Sequence, residues 1–145
     1  MANLRNLVES AWAGYLSASG ITANIYKGFA SGDKASPAVI CKAVSAEETH
    51  ANSGNWDVQV KISSRASFDY GLTDFDMLCN GVAALVYATD LNTQLIANQS
   101  GLMVWGTAAD GRMEWDVDED CWIENLTVSM VCWALFPYRS IAFKS

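Results

Sequence analysis

The order of hydrophobic patterns along the chain constrains the fold more than any other feature. Apolar residues recur with helical period over residues 3–16 and again over 73–88, whereas residues 55–63 and 126–134 alternate between apolar and polar side chains. Helical periodicity predicts an amphipathic helix, and strict alternation predicts a half-buried strand. This order predicts an α+β fold, a mixed, mainly antiparallel sheet of about four to five strands packed by two amphipathic helices.

Local signals predict where some of these elements begin, end or turn. Thr73 followed by Asp76 resembles a capping box, so we expect the second helix to begin just after Thr73. Residues 45–54 are mostly small and polar and lie between two strands, which predicts a long hairpin connection that projects from the domain. A strand is predicted over residues 102–105 and a turn over 106–112.

Length and composition favour one ordinary globular unit. Residues 1–145 are expected to form a single domain, because the length is typical of one domain and no linker or repeat interrupts it. The first residues lack the apolar run of a signal peptide, and no stretch approaches the roughly 18 apolar residues that cross a bilayer. We therefore expect a protein that is made in the cytosol and does not enter a membrane.

The four cysteines leave two interpretations open. Their even number permits disulfides, but three of them fall inside regular apolar patterns, and cytosolic synthesis favours reduced thiols. We favour buried thiols that pack as small apolar side chains. The residues are Cys41, Cys79, Cys121 and Cys132.

The net charge of −7 is unevenly distributed. Residues 1–65 carry six Lys and Arg against five Asp and Glu, whereas residues 66–145 carry three against eleven. Such a balance argues against binding of nucleic acid through its phosphates, which needs clustered cations, and against an anionic membrane surface. It is compatible with an acidic lining past which DNA moves without specific binding.

No motif predicts catalysis, a cofactor or a metal site. Asp116 begins an acidic run that resembles the opening of a calcium loop, but Cys121 replaces the glycine at its sixth position and Thr127 the glutamate at its twelfth. A looser divalent-cation site is an alternative, but we favour a solvated acidic edge or an acidic subunit contact. The chain has no nucleophile-elbow, Walker A or dinucleotide-binding motif, and its one histidine, His50, lies in the predicted hairpin connection.

The tryptophans of the C-terminal strands suggest an exposed surface. Six tryptophans occur, and four of them, Trp105, Trp115, Trp122 and Trp133, lie in the last third of the chain. Because tryptophan is favoured at protein–protein contacts, an assembly surface is one interpretation, and an aromatic-rich core that spreads over both sheet faces is the other. Trp133 shares a strand face with Val131, so we expect a helix or a neighbouring subunit to cover that face.

In the order of its elements and in their hydrophobic patterns, the chain resembles the tail terminator, or tail completion, proteins of long-tailed bacteriophages. The resemblance implies a mixed sheet with packed helices, in subunits that close into a ring, usually a hexamer. Such a ring caps the tail tube and joins it to the head connector, without catalytic residues or cofactors. The resemblance is carried by residues 4–16, the segment 21–26 before Gly28, Pro37-Ala38-Val39-Ile40, the hairpin into 56–62, and residues 75–86 and 126–134.

The resemblance implies a virion protein that is present in the host cytoplasm during assembly. Its partners would be further copies of itself, the tail-tube protein and the head–tail connector protein, with DNA passing through the channel. Closure of a ring needs two different complementary patches on each subunit. The predicted contact residues are Glu47, Glu48, His50 and Asn52 in the hairpin, Glu114, Asp116, Asp118 and Asp120 in the acidic run, and Trp133.

Two alternatives to a terminator stay open. One is another structural protein of the virion, either a neck or head-completion protein or a tail-tube subunit, which would polymerise into long stacked rings. The other belongs to a different class, a cytosolic domain that binds a small ligand or acts as an enzyme. That alternative predicts a monomer or dimer with an apolar pocket and converging polar groups.

Overall fold

A computed structural model of the chain describes residues 4–28, 34–50, 53–99, 102–118 and 120–134. Within these ranges the chain forms three α-helices and five strands, so the predicted α+β class is confirmed. In chain order the elements are α1 (Leu4–Ala18), β1 (Asn24–Lys27), β2 (Ala38–Glu48), β3 (Asn55–Ser67), a 3-10 turn (Phe68–Tyr70), α2 (Leu72–Val86), α3 (Leu91–Ala97), β4 (Leu102–Asp118) and β5 (Cys121–Ala134).

The five strands form one sheet in the order β1-β2-β3-β5-β4, with each irregular strand counted once. β1 runs parallel to β2, and all the other neighbours are antiparallel, so the predicted mixed, mainly antiparallel sheet is confirmed. β3 and β5 are the central pair, and they stay in one register from Asn55 opposite Trp133 to Ser67 opposite Cys121. β4 is the edge strand beside β5.

The core lies between the helices and one face of the sheet. The apolar stripe predicted on α1 is buried, and its Trp12 is fully enclosed, with Nε1 donating a hydrogen bond of 3.1 Å to Sδ of Met130 on β5. On β3 the buried residues Val58, Val60 and Ile62 alternate with more exposed ones, as the strand pattern predicts. α1 contacts β1 and β2, α2 contacts β3 and β5, and α3 contacts β4.

The opposite face of the sheet is polar, and no described helix packs on it. Gln59 and Ser129 exchange hydrogen bonds of 2.9 and 3.1 Å across β3 and β5, and Ser63 donates one of 2.5 Å to Asn125. Val131 is exposed on this face. The sequence predicts that either a helix or a neighbouring subunit covers the face of Val131. No described helix covers it, and the neighbouring subunit stays a prediction.

The second helix begins earlier than the capping signal predicts. α2 starts at Leu72, its N-cap is Gly71, and no side chain caps it. The predicted capping box at Thr73 is therefore wrong, because the 3-10 turn ends at Gly71, whose φ of 93° turns the chain directly into the helix. A short helix, α3, follows α2 after residues 87–90.

The hairpin connection is shorter than predicted. β2 continues to Glu48 and pairs with β3 as far as Trp56, so the connection comprises residues 49–54 rather than 45–54. The sequence does not reveal residues 45–48 as part of a strand, because the register of β2 shifts between Ala43 and Ser45 and interrupts the alternation of apolar and polar residues. A bulge of this kind adds one residue and reverses the faces of those that follow.

The turn predicted over residues 106–112 is wrong. β4 extends from Leu102 to Asp118, and it pairs with β5 over residues 102–104, 106–109 and 113–118. Its register shifts between Val104 and Gly106 and again between Ala109 and Met113. These two irregularities disrupt the period-2 pattern, and the glycines and alanines of the segment resemble turn residues.

Candidate assembly surface

Glu48 closes the hairpin of its own chain. Its Oε2 accepts a hydrogen bond of 3.0 Å from the backbone N–H of Gly54, across the connection between β2 and β3. The backbone N–H of Thr49 donates to the carbonyl of Asn55 at 3.0 Å, and that of Ser53 donates to the carbonyl of His50 at 3.1 Å. Glu48 thus contributes to the shape of the hairpin, whereas its neighbours present the outward surface.

The other hairpin residues predicted as contacts are exposed where they are described. The side chains of Glu47 and His50 both face solvent, and Glu47 lies opposite Asp57 in the register of β2 and β3. Two carboxylates opposite each other repel, so this pair does not stabilise the pairing of β2 with β3. Asn52 lies outside the described residues.

Trp133 belongs to the same end of the sheet as the hairpin. Its half-buried indole covers Gly54 so closely that a Cβ built on Gly54 would lie 2.5 Å from Nε1 of Trp133. The structure therefore brings together Glu47, Glu48, His50 and Trp133. The sequence gives no signal for this contact, because Gly54 and Trp133 are far apart along the chain and meet only through the pairing of β3 with β5.

The acidic residues lie at the opposite end of the sheet. Glu114, Asp116 and Asp118 are exposed on β4, where alternation places them on the helix-free face, and Asp118 lies 3.5 Å from the guanidinium of Arg65. Asp120 lies in the turn between β4 and β5, so it does not continue the row of carboxylates on this face. About 40 Å of β3, at roughly 3.3 Å per residue, separates this end from the hairpin.

Glu124 differs from the rest of the acidic run. It is 6% exposed, and its Oε1 accepts a hydrogen bond of 2.8 Å from Nε1 of Trp115. The pKa of the Cys79 thiol beside it is raised, first by burial and then by the hydrogen bond with Glu124. Glu124 therefore fixes the orientation of the Trp115 indole and is not part of the exposed acidic surface. Glu119 lies outside the described residues.

An apolar groove opens beside the acidic residues, and we call it the tryptophan groove. Its volume is about 250 Å³, and three of its side chains are unusually exposed for their type: Trp115 at 70%, Val117 at 58% and Leu72 at 53%. The groove is lined by Leu72, Phe75, Asp76, Trp115, Asp116, Val117, Trp122 and Ile123.

The groove is open because the helices cover only part of β4. α3 packs on β4 and α2 packs on β3 and β5. Alternation turns Trp115 and Val117 toward the helix side, next to the turn between β4 and β5. Its base is rigid, because the ring of Trp122 stacks on Phe75 with centroids 6.0 Å apart and lies against Phe68 at 4.9 Å. The sequence indicates exposed tryptophans in these strands. It does not predict the groove, because the groove also depends on where α2 packs on the sheet.

The cysteines offer no reactive centre among their buried members. All four are free, Cys41, Cys79 and Cys132 are buried, and Cys121 is half-buried. Burial raises the pKa of Cys41 and of Cys132 to about 12, with smaller contributions from Glu9 and Asp57 respectively. A thiol with such a pKa is almost never a thiolate at neutral pH, so these side chains act as apolar packing.

Two further observations concern metal and membrane. In the part of the chain that the structure describes, no group of three or more His, Cys, Asp or Glu side chains is placed to hold a metal ion. Among the described helices, none combines the length and the apolarity that a membrane crossing requires.

Comparison of the sequence with models of known protein families and with curated protein sequences finds no match in either.

Proposed function

We propose that this chain is a structural protein of a phage virion, which forms a ring, caps the tail tube and joins the tail to the head connector. The mixed sheet with helices on one face agrees with the fold that the resemblance to tail terminators implies. The proposal assigns no catalytic residue and no cofactor. It places the protein at the neck of the virion, and in the host cytoplasm during assembly.

The tryptophan groove is the observation that carries this proposal. Soluble monomers rarely leave several large apolar side chains exposed together, and such patches commonly mark protein contacts. Here Trp115, Val117 and Leu72 are exposed around a rigid aromatic base, and a buried carboxylate holds the indole in place. Aromatic side chains that become buried on binding often dominate the energetics of protein interfaces.

The two faces of β4 suit two different tasks in a ring. Alternation directs Trp115 and Val117 to the helix side, whereas Glu114, Asp116 and Asp118 point to the helix-free side. In the proposed ring the apolar side contacts a neighbouring subunit, and the acidic side faces the channel. Repulsion between carboxylates and phosphates then keeps DNA mobile, which fits a chain of net charge −7.

The hairpin end supplies the second proposed contact. Glu47, His50 and Trp133 lie at the far end of β3 and β5 from the groove, so the subunit carries two different patches at opposite ends of its long strands. A ring can be built from such unlike patches, each meeting its complement on the next copy. One of the ring surfaces would then remain for the tail-tube protein and the other for the connector protein.

The first test is the native mass of the purified chain by light scattering, with negative-stain images of the same peak. We expect a discrete ring of about six subunits of 15.7 kDa. Addition of the ring to growing tail tubes should stop their elongation. The variant Trp115→Ala should remain folded and lose the ring, whereas Tyr87→Ala, which removes an exposed aromatic side chain outside the groove, should keep it.

Other outcomes would support the alternatives. Long tubes of stacked rings would identify a tail-tube subunit instead of a terminator. A discrete ring that binds a head connector and leaves tube growth unaffected would indicate a neck or head-completion protein. A monomer that neither assembles at high concentration nor binds tail tubes would contradict the proposal, and would favour the ligand-binding or enzyme class.

A further inference from the structure

The tryptophan groove selects the chemistry of its occupant. Its base and walls are aromatic and aliphatic, Asp76 is the acid on its helix side, and Asp116 borders it from the opposite face of β4. No lysine or arginine is among the lining residues of this described surface. A complementary occupant therefore presents aromatic side chains together with positive charge, because apolar burial supplies affinity and charge complementarity supplies orientation.

One segment of this chain has that chemistry. Residues 135–145, Leu-Phe-Pro-Tyr-Arg-Ser-Ile-Ala-Phe-Lys-Ser, follow β5 and lie outside the described residues. They contain three aromatic residues and two cations, Arg139 and Lys144, and no Asp or Glu. In the strongly acidic part of the chain, residues 66–145, these are two of only three Lys and Arg residues.

The first residues of this segment are too far from the tryptophan groove of their own subunit to enter it. β5 runs from Cys121 beside the groove to Ala134 at the hairpin end, and the eleven steps from Ile123 to Ala134 span about 36 Å. Phe136 and Tyr138 lie two and four residues after Ala134, so they reach at most about 7 and 14 Å from it. Their rings can enter a tryptophan groove only on another copy of the chain.

We propose that residues 135–145 of one subunit occupy the tryptophan groove of the neighbouring subunit. This inference rests on the ring proposed above and names the contact that joins its subunits. Phe136 and Tyr138 supply the aromatic rings that cover Trp115, and Arg139 lies near Asp76. The segment leaves one end of the sheet and the groove lies at the other, so the contact is head-to-tail, as ring closure requires.

Crosslinking within the full-length protein tests the location of the segment. The photoreactive residue p-benzoylphenylalanine replaces Tyr138, and subunits labelled with 14N and 15N are mixed before irradiation. We expect mixed-isotope crosslinks between position 138 and the groove segments 72–76 or 115–123. Crosslinks confined to one copy, or directed to other surfaces, would overturn the proposal.

A charge exchange tests the energetics of the same contact. Arg139→Glu and Asp76→Arg should each weaken assembly about tenfold or more, and the two together should recover most of the loss. Asp90→Arg, which alters an exposed acid before α3 and outside the groove, should leave assembly unchanged. Lack of recovery in the double variant, with both single variants folded, would contradict the pairing of Arg139 with Asp76.

The outcomes separate this contact from the proposed function. A ring that persists in Trp115→Ala and gives no crosslinks between copies would disprove the contact and leave the ring in place. Mixed-isotope crosslinks in a dimer or an open filament would support the contact and contradict the terminator function. A wild-type chain without assembly or crosslinks between copies would refute both.

Discussion

Glu9 shows how a single buried side chain fixes the position of α1 on the sheet. It is fully buried, its Oε1 lies 3.1 Å from Nη1 of Arg5, and its Oε2 accepts a hydrogen bond of 3.1 Å from the backbone N–H of Ala43. Ala43 borders the bulge of β2, where the strand extends past the end of β1. The carboxylate therefore satisfies a strand N–H that no neighbouring strand can reach.

Replacement of Glu9 should cost stability in proportion to the hydrogen bonds that are lost. Glu9→Ala leaves the N–H of Ala43 without an acceptor, and we expect the free energy of unfolding to fall by about 2–3 kcal/mol. Glu9→Gln keeps one acceptor and should cost about 1 kcal/mol. Urea unfolding measures both, with the exposed Glu47→Ala as the control. Equal losses for Ala and Gln would contradict the role of the acceptor.

The buried thiols predict a loss of stability in alkali. The pKa of Cys41 and of Cys132 rises from 9.0 to about 12 on folding, so above pH 9 the unfolded chain binds fewer protons than the native one. Below pH 9 these thiols do not change the free energy of unfolding with pH. Between pH 9 and 12 that free energy falls by up to about 1.4 kcal/mol per pH unit for each thiol.

Urea unfolding from pH 8 to pH 11 measures this loss. The double variant Cys41→Ala/Cys132→Ala is less stable at every pH, because its core is smaller, but its stability should fall less steeply above pH 9 than that of the wild type. Identical slopes in the two proteins would show that these thiols are not the groups that titrate.

At the scale of elements, turns and bulges decide where the strands of this sheet end. Gly54 ends the hairpin connection with a φ of 78°, donates its N–H to Glu48 and lies under the indole of Trp133. Any side chain at this position would meet both an unfavourable backbone conformation and the ring. The hairpin end is therefore built around a residue without a Cβ.

Two glycines with the same φ allow these two effects to be separated. Gly20 also has a φ of 78°, but a Cβ there would meet nothing within 4 Å. We expect Gly20→Ala to lower the free energy of unfolding by about 1 kcal/mol through backbone strain alone. Gly54→Ala should cost about 2–4 kcal/mol, because the clash with Trp133 adds to the same strain. Thermal unfolding compares them, and equal losses would contradict the close packing of Trp133.

At the scale of the whole molecule, one apolar core connects almost all of the described elements. Its buried residues come from α1, α2, α3 and four of the five strands, and partly buried Ile25 adds β1. Phe75, Cys79 and Ala66 form a smaller cluster under the tryptophan groove. Because the elements share one core, the prediction of a single domain over residues 1–145 has a direct consequence for unfolding.

We expect one cooperative unfolding transition, with coincident curves from far-ultraviolet circular dichroism and tryptophan fluorescence. Trp12→Leu should shift the whole transition and cost about 3 kcal/mol, because Trp12 is fully buried and joins α1 to Met130. The exposed Tyr87 serves as the control, since Tyr87→Leu should shift the transition far less. Two separate transitions, or a shift in only one probe, would contradict a single domain.

Some features of this protein follow from the sequence alone, because they depend on interactions between near neighbours. The stripe of α1, the alternation of β3 and β5 and the apolar positions of α2 all report burial on one side of an element, and each matches the structure. The same patterns are sufficient for the α+β class. The sequence patterns also predict that tryptophans and carboxylates lie on the C-terminal strands, and exposed members of both kinds form part of the candidate assembly surface.

Other features were decided only by the tertiary structure. The bulge of β2 and the first bulge of β4 each add one residue, and the second irregularity of β4 adds two, so the alternation is interrupted and the sequence predicts connections over residues 45–48 and 106–112. Glu124 belongs to the acidic run in sequence but is buried, because alternation on β5 places it on the helix side, where Trp115 donates a hydrogen bond to it. The tryptophan groove exists because α2 and α3 leave the tip of β4 uncovered. A local pattern records which side of an element is apolar, whereas coverage of that side depends on where distant elements end.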